Sequence, residues 1–107
     1  MTQDNDTQSD MPKNAIEQVV SRFIAGLPAR IQAMQAAFSS SNWNELESLA
    51  HKLAGASIFG FPALGECARR LENSVLDKQI QDVSRYLQEL IIQADEDGRI
   101  FAQRELK

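Results

Sequence analysis

The stretch WNELESLAHKLAGASIF, residues 43–59, carries the clearest structural signal in this chain. Drawn as a helix at about 100° per residue, it places four apolar side chains on one side, those of Leu46, Leu49, Leu53 and Ala56. His51, the only histidine, falls about 160° from Leu53 on the other side. That side also holds Asn44, Glu47, Ser48, Ala54, Gly55 and Ile58. Because the apolar side must face a core, the imidazole must face water or a partner.

The length of 107 residues predicts a single domain with one hydrophobic core. Residues 1–12 (MTQDNDTQSDMP) are polar, acidic and without periodicity, so we expect a disordered acidic leader or linker there and a helical bundle domain over residues 13–107. The leader lacks the apolar core of a signal peptide. No run approaches the roughly 20 apolar residues that span a bilayer. We therefore expect a cytoplasmic protein that contacts no membrane.

Charge and cysteine content argue against several functions. The net charge is -4 and the basic residues form no cluster, so a nucleic acid partner is not expected. The single cysteine, Cys67, lies on an apolar helical stripe, which favours a small buried hydrophobe over a reactive thiol. The sequence shows no Cys/His cluster with metal-ligand spacing. We expect neither a metal nor another cofactor on this chain.

The apolar spacing predicts five amphipathic helices. Helix A begins near Asn14, whose spacing to Glu17 is that of a capping box, and it ends at Gly26 and Pro28. Helix B begins at about Pro28 and ends before the turn at residues 39–42. Both helices carry apolar residues at helical spacing, among them Ile16 and Val19 of helix A.

Helix C is predicted over about residues 43–59, opened by Asn42 and Glu45 at capping-box spacing and closed by Gly60. Helix D begins near Pro62. Helix E extends from about residue 77 to about residue 95 and is followed by a plausible stop at Asp97-Gly98, although the apolar residues beyond are too sparse to decide whether the end frays or continues as helix. The fold class is therefore all-α, an antiparallel up-and-down four-helix bundle of helices B–E with helix A covering one end or side. Each apolar stripe can be buried within one bundle, so we expect a monomer.

His51 lacks what autonomous catalysis needs. Ser48 and Ser57 have no second histidine to activate them, and phosphate-binding Gly-rich loops are absent from the sequence. A neutral imidazole has a nucleophilic nitrogen lone pair, and a phosphoryl group can reach it only if the ring is unobstructed. The residues that crowd His51 on a helix are all small: Ser48, Ala54 and Gly55. This pattern indicates a nucleophile that is used by another protein's active site.

Three further residues of this face have two interpretations each. Lys52 either neutralises a phosphoryl oxygen or is a solvated lysine that covers the helix flank. Glu47 either orients the ring or is merely solvated. Ile58 beside a reactive group suggests an apolar anchor for a docking partner, although an exposed isoleucine alone means little. The docking face predicted from the sequence thus comprises Glu47, Ser48, Ala54, Gly55 and Ile58.

The run Ala50-His51-Lys52-Leu53-Ala54-Gly55-Ala56-Ser57, followed by Gly60, Leu64 and Leu71-Glu72, resembles the histidine-containing phosphotransfer (HPt) domain of bacterial two-component phosphorelays. The resemblance covers about residues 14–95. It implies a helical bundle in which His51 is phosphorylated at Nε2. It also implies that aspartates of receiver domains donate and accept the group, and that the receiver supplies Mg²⁺ and the catalytic groups. The family often has a lysine three residues after the histidine; here that position is Ala54, and Lys52 is the candidate substitute.

The resemblance therefore predicts a phosphorelay intermediate without enzymatic activity of its own. Its expected partners are response-regulator receiver domains, a hybrid sensor histidine kinase, or both, and the short leader fits a free-standing carrier as well as the end of a hybrid kinase. One alternative is an interaction module that binds a receiver or kinase domain without being phosphorylated. Another is a self-contained enzyme with His51 as general base, which would require a deep pocket and a second titratable group.

Overall fold

The computed structural model describes the backbone of residues 2–105 and the side chains of residues 15–104. Its helices are α1 (Thr2–Ser39), α2 (Trp43–Leu53), α3 (Pro62–Leu76) and α4 (Ile80–Glu105), with a 3-10 segment (Ala54–Phe59) directly after α2. Residues 2–105 contain no β-strand, so the prediction of an all-α bundle is confirmed. None of the helices in this range is both long enough and apolar enough to cross a membrane.

The helices follow one another around a single core. Helix α3 packs against both α2 and α4, while α1 packs against α2 and closes the ring on α4. Short connections at residues 40–42 and 77–79 make their flanking helices antiparallel neighbours. The largest side chains that are fully buried come from all four helices: Met34, Leu46, Leu53, Leu64, Leu71, Val83 and Leu90.

The predicted caps set the ends of α2 and α3. The Asn42 side chain accepts a hydrogen bond from the backbone N–H of Glu45 at 3.3 Å, which satisfies a free donor at the start of α2. Gly60 ends the 3-10 segment with φ of 94°, a left-handed conformation that glycine adopts without steric cost. Pro62 occupies the first turn of α3, where its missing N–H costs no hydrogen bond.

The predicted break at Gly26 and Pro28 is wrong, because α1 continues through both residues and joins the predicted helices A and B. Proline has no N–H, so the carbonyl of residue 24, four positions earlier, lacks its helical hydrogen bond. Pro28 is exposed, so water can take the place of that donor. Buried residues lie on both sides of the proline and belong to one core: Phe23, Leu27, Met34 and Ala37. Their packing against the bundle outweighs the local cost of the proline.

The start of α1 also differs from the prediction. The helix begins at Thr2, so Asn14 lies inside it, and residues 2–12 are helical where we expected disorder. A capping-box spacing marks where a helix can begin, but it does not stop a helix that already extends through it. The side chain of Asn14 lies outside the described residues. The division into a leader over residues 1–12 and a domain over residues 13–107 stays a prediction.

The predicted helix C changes character at Ala54, where α2 gives way to the 3-10 segment. The close approach of α3 accompanies this change. A Cβ atom added to the buried Gly65 would lie 3.0 Å from the carbonyl oxygen of Ala54 and 3.2 Å from the backbone nitrogen of Ser57. Only a glycine in α3 lets the two backbones approach so closely. Gly55 therefore lies in a 3-10 helix, not in the middle of an α-helix.

Helix α4 extends beyond its predicted end at about residue 95 and continues through Gly98 to Glu105. Phe101 explains the extension, because its ring is half-buried and packs against the core one turn beyond Gly98. Burial of an aromatic side chain contributes more than the roughly 1 kcal/mol that a glycine costs inside a helix.

The contact between Gly65 and the 3-10 segment leads to a stability prediction. Substitution Gly65→Ala should lower the free energy of unfolding by about 1–3 kcal/mol, because the methyl group meets backbone atoms that cannot rotate away. Gly55→Ala is the matched control, since a Cβ atom there meets nothing within 4 Å. Urea unfolding followed by circular dichroism measures both variants. Equal stabilities would contradict the packing described here.

Candidate functional site

His51 lies near the end of α2 between two buried positions of the same helix, Ala50 and Leu53. These neighbours hold the helix on the core, while the His51 side chain is 71% exposed. The predicted orientation of the ring toward water is therefore confirmed. The helical period alone accounts for it, since a residue two positions before a core leucine lies on the opposite side of the helix.

Glu72 of α3 is the hydrogen-bond partner of the ring. Its Oε2 lies 2.7 Å from Nδ1 of His51, and its side chain is only 15% exposed. A carboxylate can only accept, so this contact assigns the proton of a neutral ring to Nδ1 and leaves the lone pair on Nε2. The described residues offer Nε2 no hydrogen bond. The nitrogen that remains free is therefore the nucleophilic one.

Glu47, one turn before His51 on α2, completes a cluster of three titratable side chains. One ligand atom from each of Glu47, His51 and Glu72 lies within 4.8 Å of the other two. Both glutamates are half-buried, whereas the histidine is exposed. The sequence predicted no set of metal ligands, because Glu72 is 21 positions away from His51 in the chain. The sequence did contain one indication of the role of Glu72. This residue directly follows the buried Leu71, which places it at the edge of the face that α3 turns to the core.

The small residues predicted around His51 leave its face clear. Ser48, Ala54 and Gly55 are half-buried, and a Cβ atom added to Gly55 would meet nothing within 4 Å. Lys52 is exposed next to His51. A second protein can thus approach the ring without displacing a large side chain.

Ile58, in the 3-10 segment, is 83% exposed. It lines a shallow groove with two exposed residues of α1, Ile16 and Val19, and we call these three residues the Ile58 patch. The prediction that Ile16 and Val19 belong to the core stripe of helix A is wrong. The ring of Phe59 stacks on Phe23 of α1 with 5.0 Å between ring centroids, which holds the 3-10 segment against α1 beside the patch.

The grooves and the single cysteine bear on the alternative of a self-contained enzyme. Three grooves lie on the described part of the chain at other places, and none of these three is lined by His51. Cys67 is half-buried and packs against the core, and burial raises the pKa of its thiol, with Glu89 adding to the effect. A raised pKa disfavours the reactive thiolate. Of the two features that the self-contained enzyme would require, the second titratable group is present, since Glu72 lies 2.7 Å from the ring of His51. The deep pocket is not among the three grooves described above.

Comparison with known proteins shows the family to which the chain belongs. The chain shows no significant match to a curated protein or to a solved structure. The family model for the Hpt domain matches residues 18–97, well over half of the chain, and these residues include α2, the 3-10 segment and α3. The chain therefore belongs to the Hpt domain family, whose members carry phosphoryl groups on histidine in phosphorelays.

Proposed function

We propose that His51 receives a phosphoryl group from the aspartyl phosphate of one receiver domain and passes it to the aspartate of another. The Nε2 lone pair forms the new N–P bond while the P–O bond of the acyl phosphate breaks and the aspartate carboxylate leaves. The reverse sequence of bonds delivers the group. The observation that carries this proposal is the exposed imidazole whose other nitrogen, Nδ1, is held by Glu72 at 2.7 Å.

Glu72 acts in this proposal as a positioning residue. It keeps the proton on Nδ1, and it sets the orientation of the ring before the receiver arrives. When Nε2 bonds to phosphorus, positive charge develops on the ring, and the adjacent carboxylate stabilises it. Lys52 is the exposed cation next to His51 and is the proposed partner of a phosphoryl oxygen, in place of the lysine that is missing at Ala54.

The receiver domain docks, in this proposal, on the open face of Glu47, Ser48, Ala54 and Gly55, and on the Ile58 patch. The small residues admit its active site with Mg²⁺, and the patch supplies apolar area on the 3-10 segment that follows α2. The chain itself then needs no cofactor. It acts as a carrier and not as an enzyme, and we propose that it does so as a cytoplasmic monomer.

The first prediction concerns the nucleophile. Incubation with phosphorylated receiver domains and Mg²⁺ should transfer label to the wild-type protein, and the label should be acid-labile. The variant His51→Gln should take up none, because it lacks the nitrogen. Its fold should persist, since the side chain is exposed, and circular dichroism checks this. Labelling of the variant at the wild-type level would refute the carrier role. If the wild type is never labelled, and the variant binds the receiver domain as tightly as the wild type does, the interaction module is favoured instead.

The second prediction concerns the tautomer. A carboxamide can accept from or donate to Nδ1, so Glu72→Gln should release the constraint on the ring and slow labelling by about tenfold or more. ¹⁵N NMR of the single histidine should show protonated Nδ1 in the wild type and a mixture of tautomers in the variant. Glu66→Gln, at an exposed position of the same helix, is the control. A slower rate with an unchanged tautomer would contradict the positioning role.

The third prediction concerns docking. Ile58→Ser should weaken binding of the cognate receiver by about tenfold, the effect of losing about 1.4 kcal/mol of apolar burial, without lowering stability. Ile92→Ser is the matched control, because Ile92 is also exposed (68%) but lies on α4 outside the Ile58 patch. Calorimetric titration with the receiver measures both. Equal affinities for the two variants would exclude the patch from the interface.

A further inference from the structure

We propose that Glu47, His51 and Glu72 form a binding site for a divalent transition metal of the Zn²⁺ class, and that the bound metal prevents phosphorylation of His51. The binding part stands on the geometry of the three side chains. The inhibitory part rests on the proposed function.

The geometry of the cluster suits such an ion. Zn²⁺ is bound by imidazole nitrogen and carboxylate oxygen at about 2.0–2.2 Å, which places neighbouring ligand atoms about 3.3–3.5 Å apart. The three ligand atoms here already lie within 4.8 Å of one another, and the contact between His51 and Glu72 is 2.7 Å. The proposal requires the two glutamate side chains to rotate so that their carboxylates enclose the ion. The exposed side of His51 leaves the fourth position to water.

The donor set also selects among metals. Imidazole is a ligand for Zn²⁺ and Cu²⁺, whereas Mg²⁺ prefers oxygen ligands only and keeps most of its water. Two carboxylates balance the charge of a divalent ion. Glu47 and Glu72 lie on different helices of the bundle, so the fold sets their backbone positions before the metal arrives. The Mg²⁺ that a receiver domain needs would thus not compete for this site.

Metal binding would move the proton of the imidazole ring from Nδ1 to Nε2. A metal on Nδ1 takes the lone pair of that nitrogen and displaces the proton that Nδ1 otherwise donates to Glu72 in the hydrogen bond. The single proton of the neutral imidazole must then reside on Nε2. This removes the Nε2 lone pair that attacks phosphorus, so the metal-bound protein cannot accept a phosphoryl group although its ring stays exposed.

Zn²⁺ titration of the metal-free protein by calorimetry tests the site without any receiver. We expect one ion per chain, and an affinity at least about tenfold weaker in Glu47→Gln and in Glu72→Gln. Glu45→Gln, at an exposed position of the same helix as Glu47, should bind like the wild type. ¹⁵N NMR of His51 should show the proton move from Nδ1 to Nε2 when Zn²⁺ is added, and Mg²⁺ should cause no change.

Wild-type affinity in both glutamine variants, or a proton that stays on Nδ1 with Zn²⁺ bound, would overturn the site. The inhibitory consequence has its own test, in which Zn²⁺ should suppress labelling of the wild type but not of Glu47→Gln, each compared with its own metal-free rate. Zn²⁺ binding with full labelling would overturn the inhibition alone. A protein that binds Zn²⁺ yet is never labelled would refute the proposed function and leave the metal site standing.

Discussion

The hydrogen bond between His51 and Glu72 depends on how α2 packs against α3. Leu53 and Leu71 are both fully buried and fix the rotation of the two helices about their own axes. His51 lies two positions before the first leucine, on the outer side of α2, and Glu72 directly follows the second leucine at the edge of the interface. From that edge the side chain of Glu72 reaches the ring of His51 at 2.7 Å. Hydrophobic packing, which is not directional, thereby imposes a directional contact on the one imidazole of the chain.

The close backbone approach at Gly65 supports the same arrangement at the other end of the interface. The 3-10 segment is longer per residue than an α-helix, so it carries Ile58 along the bundle and out to the Ile58 patch. Phe59 then stacks on Phe23, which ties this segment to α1. The exposed ring of His51 and the Ile58 patch thus both result from the way in which α2 and the 3-10 segment after it pack against α3.

What the sequence could predict follows from the range of the interactions. The exposure of His51, the cap at Asn42 and the left-handed turn at Gly60 depend on neighbours within a few positions, so periodicity and cap chemistry are enough for them. The His51–Glu72 contact joins residues 21 positions apart and requires the rotation of two helices, which a helical wheel does not contain. The error at Pro28 and the open end at Gly98 share a cause: both residues weaken an isolated helix, but core side chains on either side of them decide the outcome in the bundle.

Two carboxylates lie beside the nucleophile, although like charges repel and a phosphoryl group is itself anionic. A carrier, however, must release the group as readily as it accepts it. Interactions that stabilise the phosphorylated state as strongly as the transition state would only retain the group. Lys52 is an exposed cation adjacent to His51, and Glu72 contacts Nδ1 of the ring. In the proposed function Glu72 would therefore stabilise the charge on the ring and not the phosphoryl oxygens. If His51 is phosphorylated as proposed, this balance of charges would favour a transferable phosphoryl group over a stable one.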